Sequence, residues 1–384
     1  MALWNLGFRP FYLLAGSFAA ISILCWVGQF AGWLGGHSYL RGPLWHAHEM
    51  IFGFAFAVIT GFLFTAVRNW TNEPTPTGGT LLAITTLWLA GRLLAPTPWP
   101  MLAAAADTAF AIAAAAGIAL PMYASRNRRN YFFVALLLAM GAVNLVFHLA
   151  MAGIIDFPVQ RGLQAGLDIV LIIMAIMGGR VIPMFTANGV PGTQPRRMPW
   201  VERTAMGSLI LLAVVSLIAS LVPVPPAILG GLAMIAAVSH AIRLGLWQPL
   251  RTFGNPLVWI LHASFAWIVI HLLLRALAAF DIVPVSAATH ALTVGAIGGL
   301  TLGMMTRTAR GHSGLPLKAG RAEAAAYVLI QIAAFIRALL PIAAPGLTLW
   351  AITASGLLWT TAFTLFVVKY APILWRPRVD GRPG

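Results

Sequence analysis

Trp45-His46-Ala47-His48-Glu49-Met50 gathers two imidazoles, a carboxylate and a thioether at the mouth of a long apolar run. Neutral imidazole is the commonest nitrogen ligand of copper, zinc and iron, and haem iron takes it axially. Residues two apart on a regular helix point about 200° apart. His46 and His48 therefore share one ion only if the first turn is irregular; otherwise they serve different partners. His290 stands at the mouth of another apolar run, and His148 and His271 lie toward the same side of two more. Ionisable side chains are costly inside hydrocarbon, so imidazoles gathered near one depth point to a metal or haem site.

The elements that must carry these residues are membrane helices. The 384 residues are 60% hydrophobic and only 9% charged, which places the chain among all-α polytopic membrane proteins rather than soluble domains. Twelve apolar segments are long enough to cross about 30 Å of hydrocarbon: 11–34, 45–67, 78–95, 99–120, 131–154, 162–185, 204–222, 226–247, 256–280, 286–306, 324–341 and 346–368. The first is read as a retained span and not a cleaved leader. The chain is expected to form a single membrane domain over 1–384.

The net charge of +15 does not indicate nucleic acid, because the basic residues are spread through short loops. With the amino terminus inside, seventeen of the 24 lysines and arginines fall on the cytoplasmic side, Arg126, Arg128, Arg129, Arg196 and Arg197 among them. The opposite loops hold only Arg41 and Arg161. This asymmetry places both termini in the cytoplasm. A single cysteine, Cys25, excludes an intrachain disulfide and a thiolate metal cluster.

The outer side then collects Glu49, Asp107, Asp156, Asp168 and Asp281 with Arg92, Arg275 and Arg337. These groups either pair with one another or serve a site, the arginines holding anionic groups and Glu49 relaying protons. An internal echo runs through the chain. His48 is followed by Gly53, Ala57 and Gly61, His290 by Gly295, Gly299 and Gly303, and the sixth span carries Ala175, Gly179 and Pro183. His148 and His271 occupy matching places in the fifth and ninth spans, which suggests three four-helix units, 1–125, 126–250 and 251–384. The small-residue stripes fit close helix packing, and they also fit a flat porphyrin laid against the helix. His240 and His262 read as hydrogen-bonded packing residues, with a second ligand pair as the alternative. His37 and His312 fall in loops, and the methionines other than Met50 read as packing.

Gly7-Phe8-Arg9-Pro10-Phe11, the Trp45–Met50 run with Gly53, Gly61-Phe62-Leu63, Asn69-Trp70-Thr71 and Trp88-Leu89-Ala90-Gly91-Arg92 together resemble the NnrS family of bacterial membrane proteins. Gly179-Arg180-Val181-Ile182-Pro183, His290-Ala291-Leu292-Thr293-Val294-Gly295, Met304-Met305-Thr306-Arg307 and His312-Ser313-Gly314 extend the resemblance, in order, over nearly the whole chain. It implies a twelve-span inner-membrane protein with haem and copper, associated with the nitric oxide response and protection from nitrosative stress.

Within that frame, depth assigns His148 and His271 as ligands of a b-type haem. Arg92, Arg275 and Arg337 fall to its propionates, His46, His48 and His290 to copper, and Glu49 to proton delivery. An enzyme of this kind would couple two nitric oxide molecules to nitrous oxide, with electrons from a quinol or cytochrome. The chain has no CxxCH and no nucleotide motif to supply them. The competing readings are a transporter or metal-handling protein, and a haem-based sensor without turnover.

Overall fold

The computed structural model describes residues 2–36 and 39–381. His37, expected in a loop, and Arg382, expected on the cytoplasmic side, lie outside the described residues. The described chain is helical throughout. Twelve principal helices follow in order: α1 (Phe8–Phe30), α2 (Gly42–Thr71), α3 (Gly78–Leu94), α4 (Pro100–Ala124), α5 (Phe132–Met151) and α6 (Val159–Gly189). The second half gives α7 (Pro199–Ile218), α8 (Pro226–Leu246), α9 (Pro256–Ala278), α10 (Val285–His312), α11 (Arg321–Ala338) and α12 (Thr348–Trp375). Eleven segments are long and apolar enough to cross a membrane, so the protein is a multi-pass membrane protein. The twelfth, α3, has 17 residues. It spans about 26 Å at about 1.5 Å per residue, slightly less than the hydrocarbon.

The helix ends follow local chemistry. Proline opens α4, α7, α8 and α9, where its missing N–H has no helical partner to lose. The Asn255 side chain accepts from the Leu257 N–H at 3.2 Å and caps α9. At α11 the Glu323 carboxylate takes the Gly320 N–H at 3.0 Å. Asn72 closes α2 in the left-handed region (φ 55°), which asparagine tolerates better than most residues.

Two helices change their winding in their first half. In α2 the hydrogen bonds switch to i→i+5 over Glu49–Ala55, directly after His48, and in α10 they switch over Ala291–Gly298, directly after His290. Such π segments are rare and concentrate at functional sites. The equivalent placement in α2 and α10 gives the histidine echo of the sequence a backbone counterpart.

The chain divides into two compact units. The first comprises residues 1–170, 308–316 and 367–384, and the second 171–307 and 317–366. In the first, Phe11, Phe64, Phe56 and Phe110 interlock with ring centroids 5.1–6.1 Å apart around a fully buried core. Trp88 of α3 donates to the Gly53 carbonyl at 2.9 Å, tying α3 to the π segment of α2. Arg9 donates to the carbonyls of Leu374 (3.0 Å) and Arg376 (2.6 Å) at the end of α12. His312, expected in a loop, is instead the last residue of α10 and packs on the Phe8 ring at 5.6 Å.

The second unit settles the small-residue stripe of α10. A β-carbon at Gly295 would overlap the Trp267 indole, one at Gly298 would meet Trp359, and one at Gly299 would meet the Ser264 hydroxyl. In the first unit Gly53 is closed in by Arg92 and Phe18, and Gly61 by Phe11. Side chains of neighbouring helices fill both stripes, so close packing, and not a porphyrin face, explains them.

Candidate metal centre

His48 ends the regular opening of α2 and is fully buried, whereas His46, two residues earlier, is half-buried and stacks on Trp26 with ring centroids 4.9 Å apart. The regular winding of Gly42–His48 sends the two imidazoles to different partners, as the 200° separation requires. The π winding begins at Glu49. More residues per turn narrow the angle between successive side chains, and the Glu49 carboxylate closes on its own neighbour, His48 Nδ1, at 2.9 Å.

The other nitrogen of His48 looks across to α4 and α5. Nε2 lies 2.8 Å from Asn144 Oδ1 and 3.5 Å from Asp107 Oδ2. His148, one turn beyond Asn144 on α5, brings its own Nε2 to the same Asp107 oxygen at 3.2 Å. Asn144 donates its amide to that oxygen as well, also at 3.2 Å. On the far side of the His148 ring, Nδ1 meets the Tyr39 hydroxyl at 3.1 Å, while that hydroxyl is 3.3 Å from the His148 carbonyl. Burial and the negative charge of Asp107 push the Tyr39 phenol up to about 12, so it stays protonated at any physiological pH.

Arg92 of α3 completes the group. It donates to Glu49 Oε2 at 2.9 Å and to Asp107 Oδ1. Glu49, Asp107 and Arg92 together leave one net negative charge among groups that are 1–4% exposed. Both nitrogens of His48 face oxygen acceptors. A cation held beside that ring would balance the buried charge. Phe147 stacks on His48 at 5.0 Å and Phe52 lies at 5.2 Å, which keeps water from the imidazole.

The donor set fits a metal ion. One ligand atom each from His48, Asp107 and His148 lies within 4.8 Å of the others, and all three residues are buried. Each imidazole is oriented through its far nitrogen, His48 by Glu49 and His148 by Tyr39, the arrangement that fixes the ligating tautomer at metal sites. The same geometry does not fit a haem between these two rings. Their centroids are 4.9 Å apart at 73°, in edge contact, which leaves no gap for a macrocycle.

A family model described as NnrS protein matches residues 2–378. The chain belongs to the NnrS family. No curated protein matches it. In this NnrS chain the structure brings together His48, Glu49, Arg92 and His148 of the residues expected from the sequence, and adds Asp107, Asn144 and Tyr39. His48 and His148, given different roles by depth alone, share one carboxylate. Met50 turns to the Ser22 hydroxyl at 3.7 Å.

Apart from His46, which stacks on Trp26 in the first unit, the remaining expected residues belong to the second unit, where His271 Nδ1 donates to the Ala288 carbonyl at 2.8 Å and His290 Nδ1 to the Ser286 carbonyl at 2.6 Å. Arg275 donates to Ser216 at 2.8 Å, and Arg337 is half-buried on α11. Asp107 had a sequence signal, an acid inside an alanine-rich apolar span, and Asn144 had one in its four-residue spacing from His148. Tyr39 had none.

Proposed function

We propose that this chain is an inner-membrane protein of the nitric oxide response whose working centre is a transition-metal ion held by His48, His148 and Asp107. The observation that carries the reading is the convergence of two imidazole nitrogens on one buried carboxylate oxygen, each ring steadied from behind. Copper suits it, since it binds nitrogen-rich sites most tightly among divalent first-row metals. Ferrous iron is the second reading, favoured by the two-histidine, one-carboxylate composition itself. Such a metal, when bound, supplies an open position for a diatomic ligand and a one-electron couple.

The chain's own residues do the rest. Glu49 and Tyr39 hold the ring orientations, Arg92 offsets the carboxylates, and Phe52 and Phe147 keep the surroundings apolar. Nitric oxide is itself apolar and reaches such a place through lipid. Glu49, bonded to His48 and Arg92 at once, is the group placed to pass a proton if turnover to nitrous oxide occurs with electrons from a quinol or cytochrome. His271, whose Nδ1–H is fixed on the Ala288 carbonyl as metal-binding histidines commonly are, would hold the haem that the resemblance implies. The excess of lysine and arginine on one set of loops supports cytoplasmic termini.

The test is metal analysis and visible spectra of purified wild type, His48→Ala, His148→Ala, Asp107→Asn and His271→Ala. The expected result is loss of the non-haem metal in the first three and an altered Soret band in the last. Full metal in His48→Ala and Asp107→Asn overturns the centre. Nitric oxide consumption with an added reductant then separates an enzyme from a sensor.

A further inference from the structure

A second pair of imidazoles lies wholly within the second unit, on α8 and α9. His240 is fully buried and His262 is 3% exposed, and the ordinary hydrogen bonding that the sequence suggests for both accounts for one nitrogen of His262 and leaves its other nitrogen unpartnered. Thr186 of α6 spends its only hydroxyl proton on the Ile182 carbonyl at 2.8 Å. The 2.7 Å contact between that hydroxyl and His262 Nε2 must therefore run from the imidazole N–H to the threonine oxygen. His262 is thereby fixed as the tautomer with a lone pair on Nδ1, and Nδ1 is buried without a partner. Neither nitrogen of His240 makes a hydrogen bond of good geometry, and the one polar group that acts on the ring is the Ala205 backbone. An unsatisfied buried nitrogen costs about 1–3 kcal/mol, so two rings left this way call for a ligand.

The two rings stand on successive helices that pack against each other. His240 lies six residues before the end of α8 and His262 six residues after the start of α9, so on this antiparallel hairpin they stand at one level. Both adjoin Phe265: its ring is 5.7 Å from His240, and His262 is one turn earlier on the same face of α9. The neighbouring ions are already matched. Arg243 grips both oxygens of Glu202 and donates to the Ala175 carbonyl at 2.8 Å, so no carboxylate remains to offset a divalent cation. The desolvation cost of an ion rises with the square of its charge, which favours a single charge here.

We propose that His240 and His262 form a second metal site, taking a monovalent, imidazole-binding cation of the copper(I) type through one nitrogen of each ring. It is independent of the His48 centre. Anaerobic titration of the full-length protein with copper(I) against a competing chelator, with bound metal counted by mass spectrometry, tests it. His240→Ala/His262→Ala takes up one equivalent less than wild type, and His48→Ala/His148→Ala keeps that equivalent. A folded His240→Ala/His262→Ala protein with wild-type uptake overturns the site.

Thr186→Val keeps the packing volume while removing the acceptor that fixes His262, and weakens that equivalent by about 10–100-fold. Unchanged affinity in Thr186→Val overturns the tautomer argument and the site with it. X-ray absorption of copper(I)-loaded His48→Ala/His148→Ala shows nitrogen ligands only; sulfur coordination overturns the assignment.

Discussion

Arg92 is the residue on which the first unit's buried charge depends, because it is the one arginine bonded to both Glu49 and Asp107. Removing one partner of a buried ion pair typically costs about 3–5 kcal/mol, since the remaining charges are left uncompensated. Arg92→Ala is therefore expected to lower thermal stability in detergent by that order, and Arg92→Lys, which keeps the charge but loses the planar fork, by less. A melt of Arg92→Ala within a degree of wild type would show that the carboxylates are neutralised otherwise. Tyr39→Phe removes one hydroxyl behind His148 and is expected to weaken metal binding by about 10–100-fold with little change in folding, read by chelator competition. His48 and Glu49 were legible in the sequence because they adjoin in an apolar run. Their partners were not, since Asn144 lies 96 residues from His48, and Tyr39 lies 109 from His148. Contacts at such separations depend on which helices pack together, and periodicity does not record that.

At the scale of the element, each of the twelve apolar runs became a helix, because length and hydropathy alone decide what crosses hydrocarbon. Their ends were less legible. α10 continues through Arg307 and Arg310 to His312, since a helix leaving the membrane has no reason to stop where its apolar run does. The π segments left no mark in composition, yet the one in α2 is what brings Glu49 onto His48. The stripe beside the π segment of α10 is a packing device, which gives a direct test. Gly295→Val forces a branched side chain into the Trp267 indole and is expected to destabilise the protein by about 1–3 kcal/mol, measured by thermal unfolding in detergent. The pair Gly295→Val, Trp267→Ala would recover part of the loss, because the second change opens the space the first one needs. If Gly295→Val melts like wild type, the indole is not what fills the stripe.

At the scale of the whole molecule, the sequence supplies a sidedness that helix packing alone does not. Arg126, Arg128 and Arg129 crowd the connection from α4 to α5, while the next connection, from α5 to α6, carries Asp156 and only Arg161 beyond it. Basic residues resist translocation, so the first connection is expected in the cytoplasm and the second outside. His48, Arg92, Asp107 and His148 sit at the opening of α2, the end of α3, the opening of α4 and the end of α5, which that expected orientation would put on the outer side. Cys25 is the only native thiol, so replacing it by serine leaves a background on which one introduced cysteine reports one position. Ala124 and Asp156 are both exposed and lie at opposite ends of α5. In intact cells a membrane-impermeant maleimide is expected to label Asp156→Cys, and to label Ala124→Cys only after permeabilisation. The reverse pattern would invert the protein and turn the metal centre toward the cytoplasm, whereas labelling of both from one side would mean that α5 does not cross. That second outcome would remove the depth argument that placed the histidines together, while leaving the convergence of His48 and His148 on Asp107 to stand on its own geometry.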